Sequence, residues 1–87
     1  MIIVVNHSIN NPEKFWASAQ ASLPQLPEGG VKRVIQVLPN NDMTISTCLW
    51  EADSIEVLDA YLREKVSDWS SETYFELKTD AAMGVSL

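Results

Sequence analysis

The sequence predicts an α+β fold, a single antiparallel sheet of four strands with two helices on one face, in the order βαββαβ. Three observations predict it. Two segments carry helix start signals ahead of apolar residues at helical spacing, four segments are extended in character, and turn-forming clusters separate them. The 87 residues leave room for one domain, 1–87, and an apolar fraction of 46% is that of a folded chain.

Ile2 to Ser8 opens with β-branched residues and is bounded by Asn10-Asn11-Pro12, which predicts a first strand ending in a turn. Asn11 as N-cap, Pro12 at the first helical position and Glu13 in the first turn then start a helix, because neither a missing amide nor a negative charge harms a helix there. Phe15, Ala19 and Leu23, with Trp16 beside them, form its buried stripe, and Pro24 ends it. Leu26 to Gly30 connects to a second strand over Val31–Leu38. Pro39-Asn40-Asn41-Asp42 is a turn, and Met43 to Glu51 completes a hairpin. Asp53 with Glu56 three residues on is a capping-box pattern for a second helix, Ser54 to Val66. Its Ile55, Leu58, Tyr61, Leu62 and Val66 share one side, while Glu56, Asp59, Arg63 and Glu64 face water. After Ser67–Ser71, the run Tyr74-Phe75-Glu76-Leu77 predicts a fourth strand, and Asp80 to Leu87 a short tail that packs on the domain or crosses to a partner.

This order with right-handed crossovers is the ferredoxin-like arrangement, which leaves one sheet face without helices. That face is apolar in part. Ile2 and Val4 point away from Ile3 and Val5, and Ile45 and Leu49 point away from Cys48 and Trp50, so both faces carry apolar residues. A second copy of the chain would cover what the helices do not, and the small size of the domain favours such a homodimer.

Twelve acidic against six basic residues give a net charge of −6, which disfavours nucleic acid and anionic membrane surfaces as partners. No run is long and apolar enough to span a bilayer, and Met1–Val5 lacks the charged region and cleavage site of a secretion signal. Cys48 is the only cysteine, so no intramolecular disulfide forms and a cytoplasmic location is expected.

The stretch from Trp50 to Tyr61, WEADSIEVLDAY, resembles the third-strand-to-second-helix segment of the dimeric α/β-barrel superfamily, in its antibiotic-biosynthesis-monooxygenase branch. There a Trp ends the strand, a Ser and a Glu-Ala-Leu-like run open the helix, and a His follows; Tyr61 stands where that His would be. The resemblance implies a homodimer with a pocket between sheet and helices in each subunit, lined by Ser46, Cys48 and Trp50 together with Tyr61. The departure at Tyr61 argues against haem-type or His-dependent chemistry.

His7, the only histidine, ends the first strand; its ordinary pKa suits a general base at neutral pH, and the plainer reading is a strand-end ring that meets water. Asn6 beside it is the other candidate for moving a proton. Cys48 would be a nucleophile only if a positive group held its thiolate, and His7 is the one residue offered for that; a packed strand cysteine is otherwise inert. Ser46 lacks the flanking glycines of a hydrolase elbow. Trp16, Trp50 and Trp69, with Tyr61, Tyr74 and Phe75, either wall a site for a flat ligand or fill the core. Glu51 and Glu76 read as solvated strand carboxylates. No ligand spacing marks a metal site, and no cofactor is indicated.

The function expected is a homodimeric domain binding a small apolar or aromatic molecule between sheet and helices, through Asn6, Ser46, Cys48, Trp50 and Tyr61. The alternative is a cofactor-independent monooxygenase or isomerase acting on an aromatic or polyketide-like substrate, with His7 catalytic. Either requires a cavity of about 300 Å³ or more, which a purely structural subunit would fill with its own side chains.

Overall fold

In the computed structural model, which describes residues 1–87, the chain runs β1 (Ile2–Ile9), α1 (Pro12–Ser22), a 3-10 turn (Leu23–Gln25), β2 (Val31–Pro39), β3 (Ile45–Ala52), α2 (Ile55–Val66) and β4 (Ser70–Glu76). The sheet order is β2-β3-β1-β4 with every pair antiparallel, which makes this a ferredoxin-like fold. No helix is long and apolar enough to cross a membrane.

The first strand sits in the middle of the chain's hydrogen bonding. Val5 faces Cys48 on one side and Tyr74 on the other, and His7 faces Ser46 and Glu72. Because successive residues of a strand point to opposite faces, Ile3, Val5, His7 and Ile9 are buried beneath the helices, with Ser46, Cys48, Trp50 and Ala52 from β3. From above, Phe15 of α1 and Leu58, Tyr61, Leu62 and Val66 of α2 close the core. Only 17 of the 87 residues are buried, so the lone subunit has a thin core for its size.

The helix-free face carries Val4, opposite Leu49 and Phe75, with Ile45 and Leu38 toward one end. Phe75 is 51% exposed, Ile45 54% and Leu38 56%. Polar residues share this face: the side chains of Asn6 and Thr47 hydrogen-bond across it, and Arg33 pairs with Glu51 at 2.8 Å, which holds that carboxyl below its ordinary range.

Local chemistry moves several expected boundaries. The third strand starts at Ile45 rather than Met43, because Met43 takes a positive φ of 66° in the turn, and Asn40 ties that turn by accepting from the Thr44 and Ile45 amides. The fourth strand starts at Ser70, four residues before Tyr74, and stops at Glu76. The cap of α2 is Ser54, not Asp53: the Ser54 hydroxyl accepts from the Val57 amide at 3.1 Å, so Glu56 is no partner in a capping box around Asp53. Asp53 instead closes the β2 entry, its amide donating to Gly30 O at 2.9 Å. A side chain at Gly30 would meet Asp53 and Val57 at 2.9 Å, and its φ of +91° is itself a glycine conformation. The tail from Asp80 is largely exposed, Met83 to 90%, and adds nothing to the core.

The cap assignment has a direct consequence. Ser54→Ala should lower the unfolding free energy by about 1 kcal/mol, while Glu56→Ala should stay within about 0.5 kcal/mol of the parent, both read by urea denaturation.

Candidate functional site

Alternation along β1 and β3 places His7, Cys48 and Trp50 on the helix-covered face, and helical spacing in α2 brings Tyr61, Leu62, Lys65 and Val66 over them. With Phe15, Trp16, Ala19, Ser22 and Leu23 from α1 and its 3-10 turn, and Val37 from β2, these residues line a pocket between sheet and helices. The free space left is about 40 Å³. That is room for about three waters, well below the roughly 300 Å³ expected of a site for a larger ligand.

The pocket floor is polar where a core would be apolar. His7 is 3% exposed, its Nδ1 2.9 Å from Glu72 Oε2, and the Ser70 hydroxyl donates to the same carboxylate oxygen. Cys48 lines the same pocket as His7, and its sulfur lies 3.4 Å from Ser46 Oγ. Burial works against a charged imidazole, but the hydrogen bonds to Cys48 and then to Glu72, reinforced by their charges, prevail and push His7 up to about 9. His7 therefore carries its proton at neutral pH, which makes it an acid or a fixed positive charge rather than the general base its ordinary value suggests. An edge of Phe15 packs against the ring, with centroids 5.2 Å apart.

The pocket wall holds two unsatisfied groups. Trp50 Nε1 and Tyr61 Oη are buried without a hydrogen-bond partner, and their rings meet edge to face with centroids 5.9 Å apart. Burial raises the Tyr61 phenol above its ordinary value, so it stays protonated. Lys65 stands over the Tyr61 ring at 5.4 Å and pairs with Glu28 at 3.2 Å.

Of the residues expected from sequence, His7, Cys48, Trp50 and Tyr61 come together here. Ser46 is fully buried beneath Cys48 and does not line the pocket, and Asn6 points to the opposite sheet face because it is one residue out of phase with His7. Asn6 borders instead a polar cleft of about 260 Å³ with His7, Ser8, Ile45, Ser71, Glu72 and Thr73, so His7 borders both spaces and Glu72 only the cleft. Glu51 and Glu76 take no part in the pocket. Tyr74 belongs to the frame, its hydroxyl donating to Asp59 at 2.8 Å and so tying β4 to α2. Glu72 is the residue sequence reasoning missed. Starting the fourth strand at Tyr74 left it in a loop, although the alternation Ser70, Glu72, Tyr74, Glu76 would have put it on the face of His7. No group of three or more His, Cys, Asp or Glu side chains is arranged to hold a metal ion.

No known family matches the chain by sequence, and no curated protein matches it. Solved structures do share its fold. A protein from Nitrosomonas europaea provisionally described as an antibiotic biosynthesis monooxygenase superposes with a TM-score of 0.57 at 14% identity, over 93% of each chain. Rv0793 from Mycobacterium tuberculosis gives 0.56 at 15% identity over 93% of this chain and 98% of its own, and a conserved protein from Methanosarcina mazei Go1 gives 0.55 at 22% over 88% and 92%. The ferredoxin-like architecture is thus shared over nearly the whole length.

The His7 environment sets a pH dependence. A group raised from 6.5 to about 9 on folding adds stability that is fully present below pH 6.5 and is lost as the pH climbs through about 9. The unfolding free energy should fall across that window by on the order of 2–3 kcal/mol. His7→Asn, which can keep a bond to Glu72 but cannot titrate, should flatten the profile in urea titrations.

Proposed function

We propose that this chain binds a small molecule bearing a carbonyl or hydroxyl oxygen in the pocket between sheet and helices, and that it does so as a homodimer joined through the helix-free sheet face. The pair of unpartnered atoms, Trp50 Nε1 and Tyr61 Oη, carries the reading. Each buried polar group without a partner costs about 1–3 kcal/mol, and an oxygen atom between the two donors would satisfy both. Apolar walls from Phe15, Leu62 and Val66 suit the hydrocarbon part. With about 40 Å³ free, a ligand of a few heavy atoms enters as the pocket stands, and the aromatic molecule expected from sequence requires the half-buried Trp16 and Leu23 to swing outward. A cytoplasmic setting would keep the Cys48 thiol reduced.

The dimer reading is supported by the apolar row Val4, Leu49 and Phe75 on the helix-free face, flanked by exposed Ile45 and Leu38. The alternative function, a cofactor-independent monooxygenase or isomerase, draws on the description of the Nitrosomonas neighbour. In that version His7, protonated at neutral pH, gives the first proton instead of taking it.

Saturation-transfer NMR with a panel of small ketones, enones and phenols checks the binding reading. Parent protein should show contacts that Trp50→Phe and Tyr61→Phe lose, while Tyr61→Phe melts no lower than the parent because its hydroxyl has no partner to forfeit. A panel without a single binder would remove the reading. For the assembly, sedimentation equilibrium at micromolar concentration should return a dimer and Phe75→Arg a monomer; a monomeric parent would refute it.

A further inference from the structure

On the helix-covered face of the sheet His7 of β1 stands opposite Glu72 of β4, and Cys48 of β3 lies one pair along, next to the Ser46 that faces His7. His7, Glu72 and Cys48 are shielded from bulk water, and Cys48 and His7 both face the cavity. A cysteine packed merely as a small hydrophobe needs none of this company. Here Glu72 orients the ring through Nδ1, the Ser70 hydroxyl holds Glu72 in turn, and His7 and Cys48 line the same cavity. Ser46 Oγ, 3.4 Å from Cys48 Sγ, is placed to donate to the sulfur if it becomes anionic. Burial beside a protonated imidazole is the setting that turns a thiol into a nucleophile.

The second, independent feature is a pair of unpartnered donors on two residues that line the same cavity. Trp50 is two residues along β3 from Cys48 and on the same face, and Tyr61 packs against it. Both residues are more than nine-tenths buried, and both end in an N–H or O–H with nothing to bond. A nucleophile and two residues with unused donors, lining one small and mostly apolar cavity, match an electrophilic carbon conjugated to a carbonyl.

We propose that Cys48 adds to a small α,β-unsaturated aldehyde or ketone held in this pocket, forming a thioether, with His7 as the proton carrier and Trp50 and Tyr61 as donors to the carbonyl oxygen. This rests on the binding reading above and names its ligand class. Cys48 reacts as its thiolate, the thiol proton having gone to water, and a sulfur lone pair forms the S–C bond at the β-carbon beside protonated His7. The π pair of the C=C bond moves toward oxygen, where the developing enolate meets Trp50 Nε1–H and Tyr61 Oη–H. His7 then gives its own proton to the α-carbon and regains one from water, which returns the proton the thiol released. Thiol plus alkene becomes thioether, and no oxidant or reductant is consumed. Lys65 is the other charged side chain on the cavity, and its ammonium is paired with Glu28 at the rim.

But-3-en-2-one is the probe, with the adduct on Cys48 followed by intact-protein mass spectrometry at pH 7. The folded protein should react at least ten-fold faster than the same chain unfolded in urea. Methyl methanethiosulfonate, a thiol reagent with no carbonyl, separates the two halves of the site. Trp50→Phe and Tyr61→Phe should slow the enone about ten-fold and leave this reagent unchanged, whereas His7→Asn and Glu72→Gln should slow both. A folded parent no more reactive than the unfolded chain overturns the proposal, and this comparison needs no variant. Equal loss toward both reagents in Tyr61→Phe would overturn the role given to the donors. If saturation-transfer contacts with saturated ketones persist while Cys48 stays inert, covalent capture fails and binding stands; if neither occurs, the binding reading fails as well.

Discussion

Strand β1 is hydrogen-bonded along both edges, to β3 and to β4, and its pleat assigns every residue it carries to one of two very different surroundings. Ile3, Val5, His7 and Ile9 go under the helices, and Ile2, Val4, Asn6 and Ser8 go to the open face. A slip of one residue would exchange the two sets, leaving Ile3 and Val5 wet and Asn6 in the core. The burial of Ile3 and Val5, both fully shielded, holds that register, and with it the placement of His7 opposite Glu72.

The buried polar row follows from this register and sits uneasily in so thin a core. Here His7, Glu72 and Ser70 are joined by hydrogen bonds, and Ser46 and Cys48 form a second pair on the neighbouring strand. The carboxylate is itself shielded from water, and the ring is its partner at 2.9 Å. Around this set the packing is aromatic and tight, Phe15 against His7 and Trp16 against Phe15. Polarity inside such a wall is costly unless each group has a partner, which is why the bare ends of Trp50 and Tyr61 stand apart from the rest of the interior.

The two faces of the sheet thus point to two kinds of occupant. On the helix side the space is small and edged with donors, suited to something that brings an oxygen. On the open side Phe75, Ile45 and Leu38 are exposed beside buried Val4 and Leu49, suited to a broad apolar surface such as a twin sheet. The structural neighbours share this architecture at 14–22% identity, a level at which the fold persists while side chains in the pocket are free to differ.

Local signals in the chain were enough to determine the elements and their order. Pro12 after Asn11, the spacing of Leu58, Leu62 and Val66, and the turn at Asn40 each act over a few residues, so they are legible without knowing the fold. Alternation also told that Ser46, Cys48 and Trp50 share a face of β3, whereas grouping Asn6 with them runs against the same rule, since Asn6 is one residue out of phase with His7. The same local reading erred where two local choices compete, with Ser54 taking the cap from neighbouring Asp53 and Met43 drawn into the turn. What only the tertiary structure decided is the company of His7. Glu72 lies 65 residues away along the chain, and its approach depends on which strand pairs with β1 and in what register, a matter of long-range packing that no local pattern encodes. The charge on His7 and the emptiness beside Trp50 and Tyr61 are consequences of that packing, because both depend on what water can reach once the sheet and helices have closed.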